Sequence, residues 1–578
     1  MNFTLKKVLT YTKYSVIISR INIGDLLMKK NRALYVVMLM VWTILSFFLW
    51  FTFIPSIINV PYFDGGDKSI VIKILSICLL AFNGIFISYF WLNGVKDFIY
   101  VVWYYIFKNK LMRRYEAVMD IEISGEKEKI LMLYCTCNDF DEDSLLKCMR
   151  QKYKNAEFII LDDSNNEDYK RRIDEFSVRY GVKVVRRKDR KGFKAGNINN
   201  FLLGENRPKY DYVVILDSDE IIPENYVENC LKYFYFYKNV GIVQANHIST
   251  RNRNFFMRLF HIGVNSHWPT YQIMKHHYGF STMLGHGAMI KRECYEQAGG
   301  FPEFVAEDLC LSIEARNNGY YVAFAPNIIC EEEYPVDYVA FKKRHSKWTQ
   351  GNLEFIKKYT NKIMRSKMTW YEKMDIVLFT YNLPLTAIFV IFIFANLVFA
   401  PMLGINLGAV YKWWMLTPTI IFFFAPMFND ILTWGVRLNP KYFIMYFFCV
   451  IVLYGSMLTT SLISAFLGMI GKKAKFIVTP KTACKTTFWF ALHFQLPEFI
   501  FSSFLLALSI LMTVFFSGSY IFAVFLILIT GYLSLFLLFF SNKTYSNEEQ
   551  IRYDDNIKSK TLKINRSYQY KQVDKNLD

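Results

Sequence analysis

Asp217-Ser218-Asp219 stands at the end of an apolar run, residues 212–216, which by length and composition is a buried strand. Two carboxylates one residue apart can hold a hard divalent cation, Mg2+ or Mn2+, on a diphosphate and offset the charge that grows as a leaving group departs. Taken alone, D-x-D also suits a solvated turn. Asp162-Asp163 closes an earlier run, 157–161, where a carboxylate can accept hydrogen bonds from a base or ribose. Between the two, Lys194-Ala195-Gly196-Asn197 offers an ammonium as a point charge for phosphate and a glycine that permits close backbone approach. Further on stand Gly285-His286-Gly287-Ala288, Glu307-Asp308 and Arg344-His345-Ser346-Lys347-Trp348. Glu307 and Asp308 also suit the first turn of a helix, which the macrodipole makes favourable for acids.

These groups need a scaffold that brings distant segments together. Residues 130–137, 157–161, 182–185, 212–216, 241–245 and 287–290 read as short strands, the earlier ones separated by helical segments. That alternation predicts an α/β, Rossmann-like domain with a mostly parallel sheet. Ligands bind such sheets beyond the carboxyl ends of the strands. The acidic clusters 139–141, 162–163 and 217–219 all lie there, so three polar sites converge on one edge.

A chain of 578 residues that is 53% hydrophobic and 18% aromatic is too apolar to be a set of soluble domains alone. Segments 33–57 and 69–92 can each cross a hydrocarbon core roughly 30 Å thick. Segments 376–400, 413–434, 442–469, 499–516 and 520–540 make five further candidates. The net charge of +19 gathers beside the apolar segments, with Lys6, Lys7, Lys13, Arg20, Lys29, Lys30 and Arg32 ahead of the first. That is the positive-inside pattern, and without an organised basic module it argues against nucleic acid. The loops 437–441 and 472–485 are both basic and hence both cytosolic, which makes 442–469 an interfacial or re-entrant element and leaves six crossings. Lys73 and Asp430 are the charged residues inside the spans. The ten cysteines lack metal-finger spacing and fit reduced cytosolic thiols. The expected organisation is a basic N-terminal segment 1–32, two transmembrane helices over 33–108, a cytosolic domain 109–335, amphipathic interface helices 336–375, transmembrane helices 376–541 and a polar tail 542–578.

The six motifs in this order resemble the processive family 2 glycosyltransferases, the group of cellulose, hyaluronan and chitin synthases and of the glucosyltransferase that makes osmoregulated periplasmic glucans. The resemblance runs from about residue 130 to 485, and the residues around Gly285-His286 and Thr349–Leu353 are most similar to the periplasmic-glucan branch. It implies a GT-A-type cytosolic domain in a multi-pass plasma-membrane protein that polymerises a nucleotide-diphospho-sugar, UDP-glucose, into an exported β-linked polysaccharide. Its partners would be the donor, the growing polymer, the bilayer and accessory export or regulatory proteins. It further implies Asp308 as general base; Asp162, Asp163, Lys194, Asn197 and Asp217 on the nucleotide; Asp217 and Asp219 on the metal; and His286, Glu307, Arg344, Lys347 and Trp348 at the acceptor. The family's Q-x-x-R-W departs here to Arg344-His345-Ser346-Lys347-Trp348, and Lys in place of Arg loses bidentate geometry. Residues 476–481 match a cytosolic gating loop, F-x-V-T-x-K, whose Thr479 and Lys481 would contact the nucleotide. A non-processive enzyme that glycosylates a lipid carrier, and a transporter with a nucleotide-sensing domain, are the competing readings.

Overall fold

The computed structural model describes residues 27–546 except 67, 206, 250, 473–485 and 517–528, together with scattered positions between 548 and 559. Thr479 and Lys481 therefore lie outside the described residues, as do the N-terminal basic residues up to Arg20.

Seven strands form one sheet in the order β3-β2-β1-β4-β6-β5-β7. They are β1 Ile130–Thr136, β2 Ala156–Asp162, β3 Lys183–Val185, β4 Tyr212–Asp217, β5 Val240–Ser249, β6 Ala288–Lys291 and β7 Tyr321–Glu332. β1, β2, β3 and β4 run parallel, as do β5 and β7, while β6 lies antiparallel between β4 and β5. The mostly parallel α/β fold expected from the sequence is present. β6 runs against its neighbours, and β7, broken in register between Ala245 and Asn246 of its partner, has no counterpart among the expected strands. β1 and β4 are buried almost throughout because helices cover both faces.

One face of the sheet packs through Ala195, Ile198, Leu202 and Leu311. The other is continuous with membrane-type helices, where Ile130, Met132 and Val214 share a core with Leu34, Trp91 and Tyr100. The bridge is the helix Ile70–Met119, which at 50 residues spans about 75 Å and extends well past the apolar segment 69–92. Tyr115 near its end packs on the rings of His276 and His277.

Among the described residues five helices are long and apolar enough to cross a membrane: Ala33–Ile58, Ile70–Met119, Trp413–Trp434, Pro440–Met469 and Leu496–Phe515. Pro440–Met469, which covers the element read as interfacial or re-entrant from its flanking charges, breaks between Gly455 and Met457 and is long and apolar enough for a crossing. Thr386–Met402 and Gly531–Ser541 are shorter apolar helices.

The interface segment forms the helix Tyr338–Arg365, capped by Asp337, whose carboxylate accepts from Ala340 N at 2.8 Å. It packs on Met457–Met469 through His345–Ser461 and Ser346–Ser464 contacts, both 2.7 Å.

Candidate active site

A cleft of about 540 Å³ opens at the carboxyl ends of β1, β2 and β4, with Tyr338–Arg365 as its far wall. The three acidic strand ends converge there, and Asp139, Asp163, Asp217 and Asp219 all line it.

Of the Asp162-Asp163 pair, only Asp163 lines the cleft. The Asp162 carboxylate is buried and engaged, accepting from Ser164 N at 2.8 Å and from Arg186 Nε at 2.6 Å. Asp163 forms a bidentate pair with Arg187, at 2.9 and 2.6 Å. Arg187 also donates to the carbonyls of Lys191 and Phe193, so one guanidinium shapes the loop that enters the helix Phe193–Leu203.

That helix directs its N-terminus and Lys194 at the cleft, a favourable arrangement for an anion. Lys194 Nζ pairs with Asp217 Oδ1 and donates to Gly285 O at 2.8 Å. Burial alone would lower the Lys194 pKa, but the Asp217 charge and hydrogen bond, with the nearby Cys135 and Glu307, together outweigh it and hold the ammonium well above its usual range. Asn197 lines the cleft with a buried side-chain oxygen that has no hydrogen-bond partner. Gly196 serves a different approach from the one expected. A Cβ there would lie 2.1 Å from Lys191 O, so the close neighbour is the chain's own loop.

The D-x-D turn is braced from both sides. Ser218 Oγ donates to Asp139 Oδ2 at 2.7 Å, and Asp219 Oδ2 accepts from Glu333 N at 3.0 Å. Two hard carboxylates facing a cleft, with an ammonium already drawn to one, form a donor set that fits Mg2+ or Mn2+. A second group able to hold a metal is Glu220, His247 and Cys330, all buried. There Glu220 and His247 already face each other at 3.1 Å, and burial raises the Cys330 thiol well above its usual range, away from the thiolate a metal takes.

Glu307 and Asp308 open the helix Glu307–Asn317 and line the cleft. Burial pushes both carboxyls up, and for Glu307 the neighbouring Asp308 charge adds to it. Asp308 Oδ1 accepts from Leu309 N at 2.8 Å, and Glu307 Oε2 is buried without a hydrogen-bond partner. Across the cleft, Arg344, Lys347 and Trp348 project from Tyr338–Arg365, with Trp348 41% exposed. His345, in the same motif, turns away to Ser461. His286 lines the cleft between Glu220 and Glu332, whose carboxylates raise it well above the usual histidine range against the opposing effect of burial.

The structure thus gathers Asp163, Lys194, Asn197, Asp217, Asp219, His286, Glu307, Asp308, Arg344, Lys347 and Trp348 around one cleft and leaves Asp162 behind its wall. Sequence reading missed Arg187, Glu220, His247, Glu332 and Glu333. Only Glu220, which follows the D-x-D directly, carried a local signal. Cys135 is a half-buried thiol in the cleft lining that desolvation pushes up to about 12, and every described cysteine is free.

Residues 212–428, from β4 through most of Trp413–Trp434, match the family described as Glycosyl transferase family group 2. The chain carries a family 2 glycosyltransferase domain. It is 23% identical over 329 residues to the probable glucomannan 4-beta-mannosyltransferase 10 of Arabidopsis thaliana, covering 54% of this chain and 59% of that protein's length. Among solved structures, the mannosyltransferase PcManGT from Pyrobaculum calidifontis, in complex with GDP-Man and Mn2+, is 16% identical with a TM-score of 0.38, covering 67% of this chain and 99% of that one. The S. aureus TarS structure of residues 1–349 is 10% identical with a TM-score of 0.30, covering 60% and 88%. The glycosyltransferase domain lies in a chain whose apolar helices suit a membrane protein.

Proposed function

We propose that this glycosyltransferase is an inverting, processive enzyme that polymerises a nucleotide-diphospho-hexose into a β-linked polysaccharide at the cytosolic face of the plasma membrane and passes the product out through its own helices. The observation that carries this reading is a single cleft whose lining joins Asp163, Lys194, Asp217 and Asp219 with Asp308 and Trp348. The donor's nucleotide and diphosphate fit the first four residues, and the growing sugar chain fits Asp308 and Trp348. Asp217 and Asp219 would hold Mg2+ or Mn2+, which neutralises charge on the diphosphate. Lys194 meets the same diphosphate. The acceptor hydroxyl attacks the anomeric carbon, the bond from that carbon to the diphosphate oxygen breaks with its electron pair leaving on the diphosphate, and the hydroxyl proton passes to Asp308. Attack opposite the leaving group inverts the configuration.

The donor proposed from the sequence resemblance is UDP-glucose. The Arabidopsis relative's name favours a second reading, a mannosyl donor. A transporter reading draws less support. Asp430 accepts hydrogen bonds from Ser266 and, at 2.6 Å, from Tyr446, so it ties the helix Trp413–Trp434 to the helices Phe255–His277 and Pro440–Gly455. Incubating the purified chain with UDP-glucose and with GDP-mannose, each with Mn2+, tests the proposal. High-molecular-weight product sensitive to a β-glycanase supports it. Transfer of a single sugar to lipid, or incorporation from neither donor, overturns it.

A further inference from the structure

Glu220 follows the D-x-D pair directly and is fully buried behind the cleft. Its Oε2 accepts from Gly287 N at 3.0 Å and from Asp217 N at 3.4 Å, while Glu220 N donates to Asp217 O at 3.2 Å. Its Oε1 lies 3.1 Å from His247 Nε2. One carboxylate therefore touches two turns that are about seventy residues apart in sequence: the D-x-D turn and the Gly285–Gly287 turn.

The second turn is built around that contact. Gly287 has φ +57°, and a Cβ on it would lie 2.3 Å from Glu220 Oε1 and 2.4 Å from His247 Nε2. Only glycine fits both the backbone conformation and the space. The neighbouring His286 has a carboxylate at each ring nitrogen, with Nδ1 3.4 Å from Glu220 Oε2 and Nε2 3.0 Å from Glu332 Oε2. Nδ1 has no hydrogen-bond partner and meets Glu220 only at ion-pair distance, but the two negative charges flanking the ring favour its charged form. On the cleft side a second link closes the loop, because Lys194 bonds both Asp217 and Gly285 O. The metal-binding turn, the phosphate-facing ammonium and the His286 turn are thereby joined in one ring of contacts, with Glu220 at its back.

We infer that Glu220 is a positioning residue: it locks the Asp217–Asp219 turn to the Gly285–Gly287 turn, and so holds Lys194 and His286 in the arrangement that grips a metal–nucleoside diphosphate. This rests on the nucleotide-sugar reading above. Glu220 does not touch the diphosphate. It acts through His286 and through the backbone of the two turns.

Binding of UDP and of GDP, each with Mn2+, to the full chain tests this by calorimetry on the wild type, Glu220→Gln, His286→Gln and the double variant. The amide has the shape of the carboxylate but not the charge that faces His286. We expect Glu220→Gln to weaken the nucleotide that binds the wild type by at least tenfold. We expect it to add less than twofold once His286 is already Gln, because residues that act as a unit are not additive. A general loss of structure would instead multiply the two losses. Unchanged binding by Glu220→Gln, or multiplicative losses in the double variant, overturns the inference alone. If the wild type binds neither nucleotide, the functional reading fails and this inference with it. Should Glu220→Gln not fold, Glu332→Gln removes the other carboxylate from the same ring and leaves the Glu220 contacts to both turns in place. It is expected to weaken binding, and again to add less than twofold in the His286→Gln background; no effect, or multiplicative losses, overturns the inference.

Discussion

The guanidinium of Arg344 sits 4.1 Å from the centre of the Trp348 ring, one turn away on the same helix. A cation on one face of the indole, about 1 kcal/mol of attraction in an exposed setting, holds the ring in place, and the acceptor sugar proposed above would stack on the other. The altered motif therefore keeps a stacking platform even though the family's Gln and Arg are absent. Replacing Trp348 with Ala should raise the acceptor KM about 5- to 30-fold, the equivalent of one or two kcal/mol, with the donor KM unchanged. Trp348→Phe should recover part of the loss. Initial rates at varied acceptor concentration check this; an unchanged acceptor KM would remove Trp348 from the acceptor site.

Asp308→Asn should lower turnover by roughly 10²-fold or more, the contribution typical of a general base, while binding of the nucleotide diphosphate stays within twofold of wild type. Turnover from rapid-quench assays alongside calorimetric Kd values separates the two. Polymer synthesis at the wild-type rate would sink the base assignment.

Burial raises the Asp308 carboxyl above its ordinary range. A base must be ionised to accept a proton, so the active form dominates above the folded-state pKa and is lost as pH falls through it. The profile of kcat/KM against pH should therefore show an acid limb with a midpoint above the usual carboxylate value of 3.8. That midpoint belongs to the Glu307–Asp308 pair, because the two titrate together. Glu307→Gln should move the limb, and an unmoved limb would show that another group controls it.

Chelation by EDTA should abolish transfer, with Mn2+ or Mg2+ restoring it. Asp219→Asn should raise the metal concentration needed for half-maximal rate by roughly tenfold, about the loss of one charged ligand interaction. Full activity in EDTA would take the metal off the D-x-D carboxylates.

Half-buried Arg316 and buried Glu372 form a bidentate pair at 2.8 and 3.2 Å, and the same carboxylate completes the capping box of the helix Trp370–Thr380 with Thr369. Glu372→Gln leaves a half-buried guanidinium without its counter-charge, at a cost of about 1 to 3 kcal/mol. Thermal unfolding in detergent should show the drop, and a transition within a degree of wild type would argue against the pairing.

The sequence by itself determined the parallel strands, the acidic strand ends on one edge, the apolar helices and the order of the motifs. Each depends on short-range patterning: a run of apolar residues, a carboxylate at its end, a charge beside a span. Asp217, Asp219, Lys194 and Asp308, which the structure brings to one cleft, were legible because the chemistry proposed for them requires those residue types beside a strand end or a helix start. Only the tertiary structure decided which of Asp162 and Asp163 faces the cleft. One-residue alternation along a strand does not say which side chain a distant arginine will claim, and Arg186 claims Asp162. The same holds for the long helix Ile70–Met119, whose polar half is stabilised by packing on His276 and His277. His247 and Glu332 were invisible for the corresponding reason, and Glu220 was marked only by its place after the D-x-D. A buried carboxylate survives only beside partners from other strands, and strands β5, β6 and β7 supply those partners through long-range pairing that no local pattern encodes.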